Sequence, residues 1–343
     1  MTRSTAALGA LLAASLVIAG CGNASDVDDV TSATQAAAGP AGLAVGTTTM
    51  LGDVVADIME CAGGSAQTVM PVGADPHDFS PSSEQVATLV SADVVVANGL
   101  GLEEGLADAL QGASADGATV LEIAPMVDPI EFGAATHSDE DDAHSDEDAE
   151  THSDEDEEHS ADDDHGHGSL DPHFWHDVSR MAEAAELIGV ELAEVTGDDA
   201  YATCGTEVHD ELVQTDEQVR DILSAVPDDR RVLVTDHDAL GYFADAYDFE
   251  VAGVVIPGGS TLAEPSSAEL ADLVQTIDAE GVSAVFSNTA NSTALVDAVA
   301  TEAGTQVEVV ELFIGSLGSP GSRADTYAGM VTTNAQLIAD ALS

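Results

Sequence analysis

Two stretches of the chain, residues 43–132 and 231–342, repeat one pattern: a short apolar run of strand length, a turn, and a segment with helical period. Strands that alternate with helices at this spacing pair in parallel, because each partner is reached through a helical crossover. In the first stretch, residues 43–47, 67–71, 94–98 and 120–123 read as strands, with helices over 50–59, 83–89 and 102–110. In the second, 231–235, 250–255, 284–287 and 306–311 read as strands, with helical patterns between them and a closing helix over 324–342. Residues 177–195 form a further helical stretch, with apolar positions at Met181, Ala184, Ile188 and Leu192, and 201–223 read as one long helix. The expected fold is α/β: two lobes with parallel sheets, residues 43–199 and 226–343, joined by one linking helix over 200–225.

Residues 137–167 break this pattern. They hold 16 acidic residues, six histidines (His137, His144, His152, His159, His165, His167) and no large apolar side chain. Nothing there can form a core, so a disordered loop is expected over 133–169. Its carboxylates concentrate divalent cations and its imidazoles add selectivity for transition metals, so weak binding at several points is expected.

The amino terminus reads as a targeting segment. Arg3 supplies a positive start, residues 6–18 are apolar, and Ile18-Ala19-Gly20-Cys21 matches a bacterial lipobox. Cleavage before Cys21 would leave its thiol to carry a lipid; an ordinary secretory signal cut near Ala24 is the alternative. Residues 22–42 are small and polar, as in a flexible tether. The expected location is therefore extracytoplasmic, anchored to the cell membrane through Cys21. In an oxidising compartment the remaining cysteines, Cys61 and Cys204, are expected to pair, with two buried free thiols or thiolate ligands as the alternatives. Net charge is −59, from 65 acidic residues against 6 basic ones, all arginine. That excludes nucleic acid as a partner and argues against binding to anionic lipid through the surface. Removing the histidine-rich segment still leaves −43, so the acidity is global.

Five histidines lie outside that segment: His77, His173, His176, His209 and His237. Asp75-Pro76-His77 and Asp171-Pro172-His173 are the same tripeptide. Proline fixes the backbone before each histidine, and a neighbouring aspartate can accept the second ring N–H and set the tautomer that a metal ligand needs. A plain turn is the alternative for either one. His237 follows a strand, where ligands of α/β lobes gather. Neutral imidazoles suit zinc.

Residues 73–103 (GADPHDFSPSSEQVATLVSADVVVANGLGLE), 171–177 (DPHFWHD), 236–247 (DHDALGYFADAY) and 324–342 (ADTYAGMVTTNAQLIADAL) together resemble the signature segments of zinc- and manganese-binding ABC-transporter solute-binding proteins. The histidine-rich insert resembles that of the zinc branch. The resemblance implies a metal held between the lobes by His77 and His173 from the first lobe and His237 and Asp325 from the second. A histidine rather than a carboxylate at the third position makes the set suited to tetrahedral zinc. Three departures stand out: His176 where the family has an aliphatic residue, Cys204 in place of an asparagine, and Ser287-Asn288-Thr289 in place of a glutamate-containing segment. His176 is expected to be a polar surface residue, with transient ligation as the alternative, and His209 to be solvated.

The implied function is capture of Zn²⁺ outside the membrane and delivery to an ABC permease, by a monomer. Manganese transport and a surface zinc store without a permease are the alternatives. An enzyme is not expected: a four-ligand shell leaves no position for activated water, and neither HExxH nor GxSxG occurs.

Overall fold

In the computed structural model, which describes residues 43–133, 170–304 and 307–343, strand and helix alternate through both stretches. The first lobe carries β1 (Leu43–Gly46), α1 (Thr49–Ala62), β2 (Ser65–Thr68), α2 (Ser83–Val90), β3 (Val94–Ala97), α3 (Ala107–Asp116) and β4 (Thr119–Glu122). Then come α4 (Val178–Thr196) and α5 (Ala200–Leu223). The second lobe holds β5 (Val232–His237), α6 (Gly241–Tyr247), β6 (Glu250–Ile256), α7 (Ser267–Glu280), β7 (Ala284–Asn288), α8 (Ala294–Ala303), β8 (Glu308–Leu312) and α9 (Tyr327–Leu342). Both sheets are parallel, in the orders β2-β1-β3-β4 and β6-β5-β7-β8. The strand order reverses between β1 and β3 in one and between β5 and β7 in the other, and crevices for ligands open at such points.

Strand composition follows burial. All four residues of β3, Val-Val-Val-Ala, are buried, as a central strand covered on both faces requires. The edge strand β2, Ser-Ala-Gln-Thr, is mostly exposed and polar, and it begins at Ser65 because Ser65 pairs with Leu43. Ser82 with Gln85 and Ser266 with Glu269 form capping boxes that fix the starts of α2 and α7. The expected helix over 102–110 is interrupted. Glu103 is buried there and accepts hydrogen bonds from the Thr47 hydroxyl and the Asn98 and Gly99 amides, so α3 starts only at Ala107.

One apolar core runs between the lobes, with Trp175, Tyr242, Tyr327 and Phe286 among its largest fully buried side chains. Helices α4 and α5 meet backbone to backbone: a Cβ on Gly189 would lie 2.7 Å from Gly205 Cα. Cys61, at the end of α1, forms a disulfide with Cys204 in α5, their Cα atoms 5.8 Å apart. Among the described residues no helix is long and apolar enough to cross a membrane.

Candidate metal centre

Three imidazoles from three separate segments converge where the lobes meet. His77 lies in the loop after β2, behind a buried Pro76. His173 precedes the short helical turn Phe174–His176 that leads into α4. His237 is the last residue of β5. One ring nitrogen from each lies within 4.8 Å of the others, and His77 Nε2 is 3.1 Å from His173 Nε2. Zinc–nitrogen bonds of about 2.0–2.1 Å at tetrahedral angles place donors about 3.4 Å apart. The cluster therefore has the size of a metal site.

The aspartates beside these histidines do different work. Asp171 Oδ1 accepts from both the His173 backbone amide (2.9 Å) and ring Nδ1 (2.7 Å). Asp236 Oδ1 likewise pairs with His237 Nδ1 at 2.8 Å, and its Oδ2 accepts from the Asn288 amide at 3.0 Å. Both bonds leave Nε2 as the free lone pair. Asp75 instead accepts the backbone N–H of His77 at 3.0 Å, so the two like tripeptides are used differently. Burial, reinforced by the neighbouring His173 and His237, pushes the His77 pKa down to about 3, and burial holds His173 well below its usual range. These rings are neutral at ordinary pH and can donate to a metal. Asp171 is driven up to about 7 by burial.

Second-lobe groups hold the His173 segment. Tyr242 donates to the Asp171 carbonyl (2.8 Å), Trp175 Nε1 donates to the Ile314 carbonyl (2.9 Å), and Tyr327 donates to the Trp175 carbonyl (2.7 Å). A cavity of about 490 Å³ reaches His77 from outside, with Leu100, Phe132, Pro172 and Gly259 among its walls.

Two expectations are corrected. Asp325 is not brought to the cluster. It is exposed in the turn before α9, where its Oδ2 accepts from the Gly321 amide at 2.7 Å, and its charge adds to the burial that raises the Asp53 carboxyl. The helix expected from 324 starts only at Tyr327, with Thr326 as its N-cap, which leaves Asp325 in the turn. The argument from a closed four-ligand shell falls with it. His176 is not a surface residue: it is 4% exposed, its ring donates to the Ile314 carbonyl, and its Nε2 has no partner among the described residues. His209 stays at the surface, beside Asp210. Cys61, Cys204 and Glu207 also lie together, but the two sulfurs are bonded to each other and offer no thiolate. Cys21 and the six histidines of the acidic segment lie outside the described residues. Sequence reasoning missed the pairing of Asp236 with His237, for which adjacency at a strand end was the available signal. It also missed the Asn288 amide as a partner of Asp236, although Ser287-Asn288-Thr289 stood out as a departure from the family segment.

The family described as zinc-uptake complex component A, periplasmic, matches residues 45–341. This chain belongs to that family. It is a metal-binding solute-binding protein of an ABC transporter and not an enzyme. The zinc-binding protein TroA of Treponema pallidum is 30% identical over 319 residues, covering 90% of this chain and 91% of TroA. The manganese-binding lipoprotein MntA of Halalkalibacterium halodurans is 26% identical over 296 residues, covering 84% and 86%. The solved structure of periplasmic TroA superposes with a TM-score of 0.70 over 88% of this chain and 99% of that one, at 26% identity. The two-lobed α/β architecture of this component A family member is thus that of a known binding protein.

Proposed function

We propose that this protein captures Zn²⁺ outside the cytoplasmic membrane and passes it to the permease of an ABC importer, held at the cell surface by a lipid on Cys21. The observation that carries the zinc reading is the donor set: His77, His173 and His237 converge, and no carboxylate joins their cluster among the described residues. Imidazole-rich tetrahedral sites suit zinc, whereas manganese favours carboxylate and water oxygens. With Asp325 elsewhere, the fourth position falls to a solvent-derived ligand. Lipid anchoring is supported by the lipobox and by relatives named as lipoproteins, such as MntA of Bacillus subtilis. That name and the H. halodurans one favour manganese as the second reading. Metal analysis and competition titration of the purified protein decide between them. Zinc should occupy one tight site per chain and resist there a large excess of manganese; displacement of zinc from that site by equimolar manganese would sink the zinc reading.

A further inference from the structure

The two Asp-Pro-His tripeptides differ in where their aspartate points. Asp171 turns back on its own histidine ring. Asp75 reaches across to the second lobe. Its Oδ2 accepts from the Thr261 hydroxyl at 2.6 Å. The Asn291 amide, turned so that its nitrogen faces the two acceptors, donates to the same oxygen at 3.1 Å and to the Ala290 carbonyl at 3.1 Å. Thr261 follows β6 and Asn291 follows β7, so two loops of the second lobe grip one carboxylate of the first. The other oxygen of Asp75 holds the His77 amide. Pro76, between them, packs on Gly315 of the second lobe, where an added Cβ would lie 3.0 Å from the proline ring.

His77 is therefore seated by contacts that exist only while the lobes touch. The His173 segment is also tied across, but through fully buried Trp175, Tyr242 and Tyr327. Asp75, Thr261 and Asn291 are only half-buried, and the loops of Asp75 and Thr261 border the cavity that opens on His77. Water can replace these hydrogen bonds when the lobes part slightly, whereas the buried ones have no such substitute.

We infer that Thr261 and Asn291 are positioning residues that latch Asp75 and thereby His77, so that opening of this latch makes His77 the first ligand to leave the metal and sets its rate of release. The inference rests on the three-histidine reading of the site. In a chain of coordination bonds, freeing one ligand's backbone speeds dissociation without changing the donor set, so the signature is kinetic.

The test is the rate of zinc loss to an excess of chromophoric chelator, measured by stopped flow on the full chain. Thr261→Val, which keeps the shape and removes the hydroxyl, should speed release about tenfold, the weight of one hydrogen bond to a charged acceptor. Thr261→Ser should restore the slow rate. Asn291→Leu should speed release independently. In a His77→Ala background, adding Thr261→Val should have no further effect, a result that general loosening of the fold would not give. The Co²⁺-substituted protein should keep its tetrahedral absorption in Thr261→Val. An unchanged rate in Thr261→Val and Asn291→Leu, or an equal acceleration with and without His77, overturns the inference. Failure of the unmodified protein to hold zinc would instead remove the three-histidine reading beneath it.

Discussion

Removing one imidazole of three takes away a coordinate bond that solvent replaces poorly. His173→Ala and His237→Ala are each expected to weaken zinc binding by at least about 100-fold, since loss of an outer-shell partner alone costs roughly 10- to 100-fold. Asp171→Asn should fall in that lower range, because Asp171 orients the His173 ring without touching the metal. Asp325→Ala should change affinity by less than about twofold, as for an exposed side chain away from the site. Isothermal titration of the four variants checks the set, and a large loss in Asp325→Ala would return that residue to the ligand shell. The contrast also marks what sequence could supply at this scale. His77 and His173 were legible because proline fixes the backbone before each, and His237 because it ends a strand. Asp325 was misplaced because a match of segments says which residues are near in sequence, while a turn closed by the Gly321 amide decides where the carboxylate points. His176 was misjudged because polarity says nothing about a ring whose neighbours are supplied by α6 and α9.

Helix α1 carries Asp53, Asp57 and Glu60 toward α5, which adds Glu211. Packing around Asp57, then the charges of Asp53, Glu211 and Glu60, raise its carboxyl from 3.8 to about 6. The folded state thus binds the proton more tightly than the unfolded one, so stability contributed by this group is present below about pH 4 and lost as pH rises through 6. Asp57→Asn should therefore melt a few degrees higher than the unmodified protein at pH 7, with the gap narrowing as pH falls through 6 and closing only below about pH 4. A constant gap across that range would show that repulsion at α1 is not the cause. The same helix ends at Cys61, whose bond to Cys204 staples α1 to α5. Without reductant, neither cysteine should take a thiol label, and breaking this bond across 143 residues should lower stability by roughly 2–5 kcal/mol. Sequence reasoning expected the pairing from compartment and cysteine number, but the partner elements came only with the fold. Element type was legible throughout because apolar period separates strand from helix. Boundaries shifted where a polar side chain took over, as the buried Glu103 does before α3 and the exposed cap Thr326 does before α9.

At the scale of the whole molecule, charge and metal capture meet at one rim. Glu131 and Leu170 form an antiparallel bridge, and the Asp171 amide donates to the Ile130 carbonyl at 2.8 Å. The two ends of the histidine-rich segment therefore stand side by side, and Phe132 and Leu170 also line the cavity that reaches His77. Phe132 stands 6.4 Å from the His173 ring, centroid to centroid. Because the base is already closed by backbone hydrogen bonds, residues 134–169 can be replaced by a short glycine linker without stretching the lobe. That change removes all 16 carboxylates and six histidines of residues 137–167 and brings the net charge from −59 to −43. Zinc titration of the shortened chain should lose several weak sites and keep one tight site nearly unchanged, because His77, His173 and His237 all lie outside the deletion. The weak sites of the full chain should fade between about pH 7.5 and 6, as imidazoles near their ordinary pKa of about 6.5 take up protons. The tight site should persist over that range, since burial holds His77 and His173 neutral. Capture should slow as well, because a dication approaching the rim is drawn by fewer charges, and the difference should shrink as added salt screens the field. Loss of the tight site on deletion would mean that the histidine-rich segment itself supplies the fourth ligand, and solvent would then be ruled out of that position.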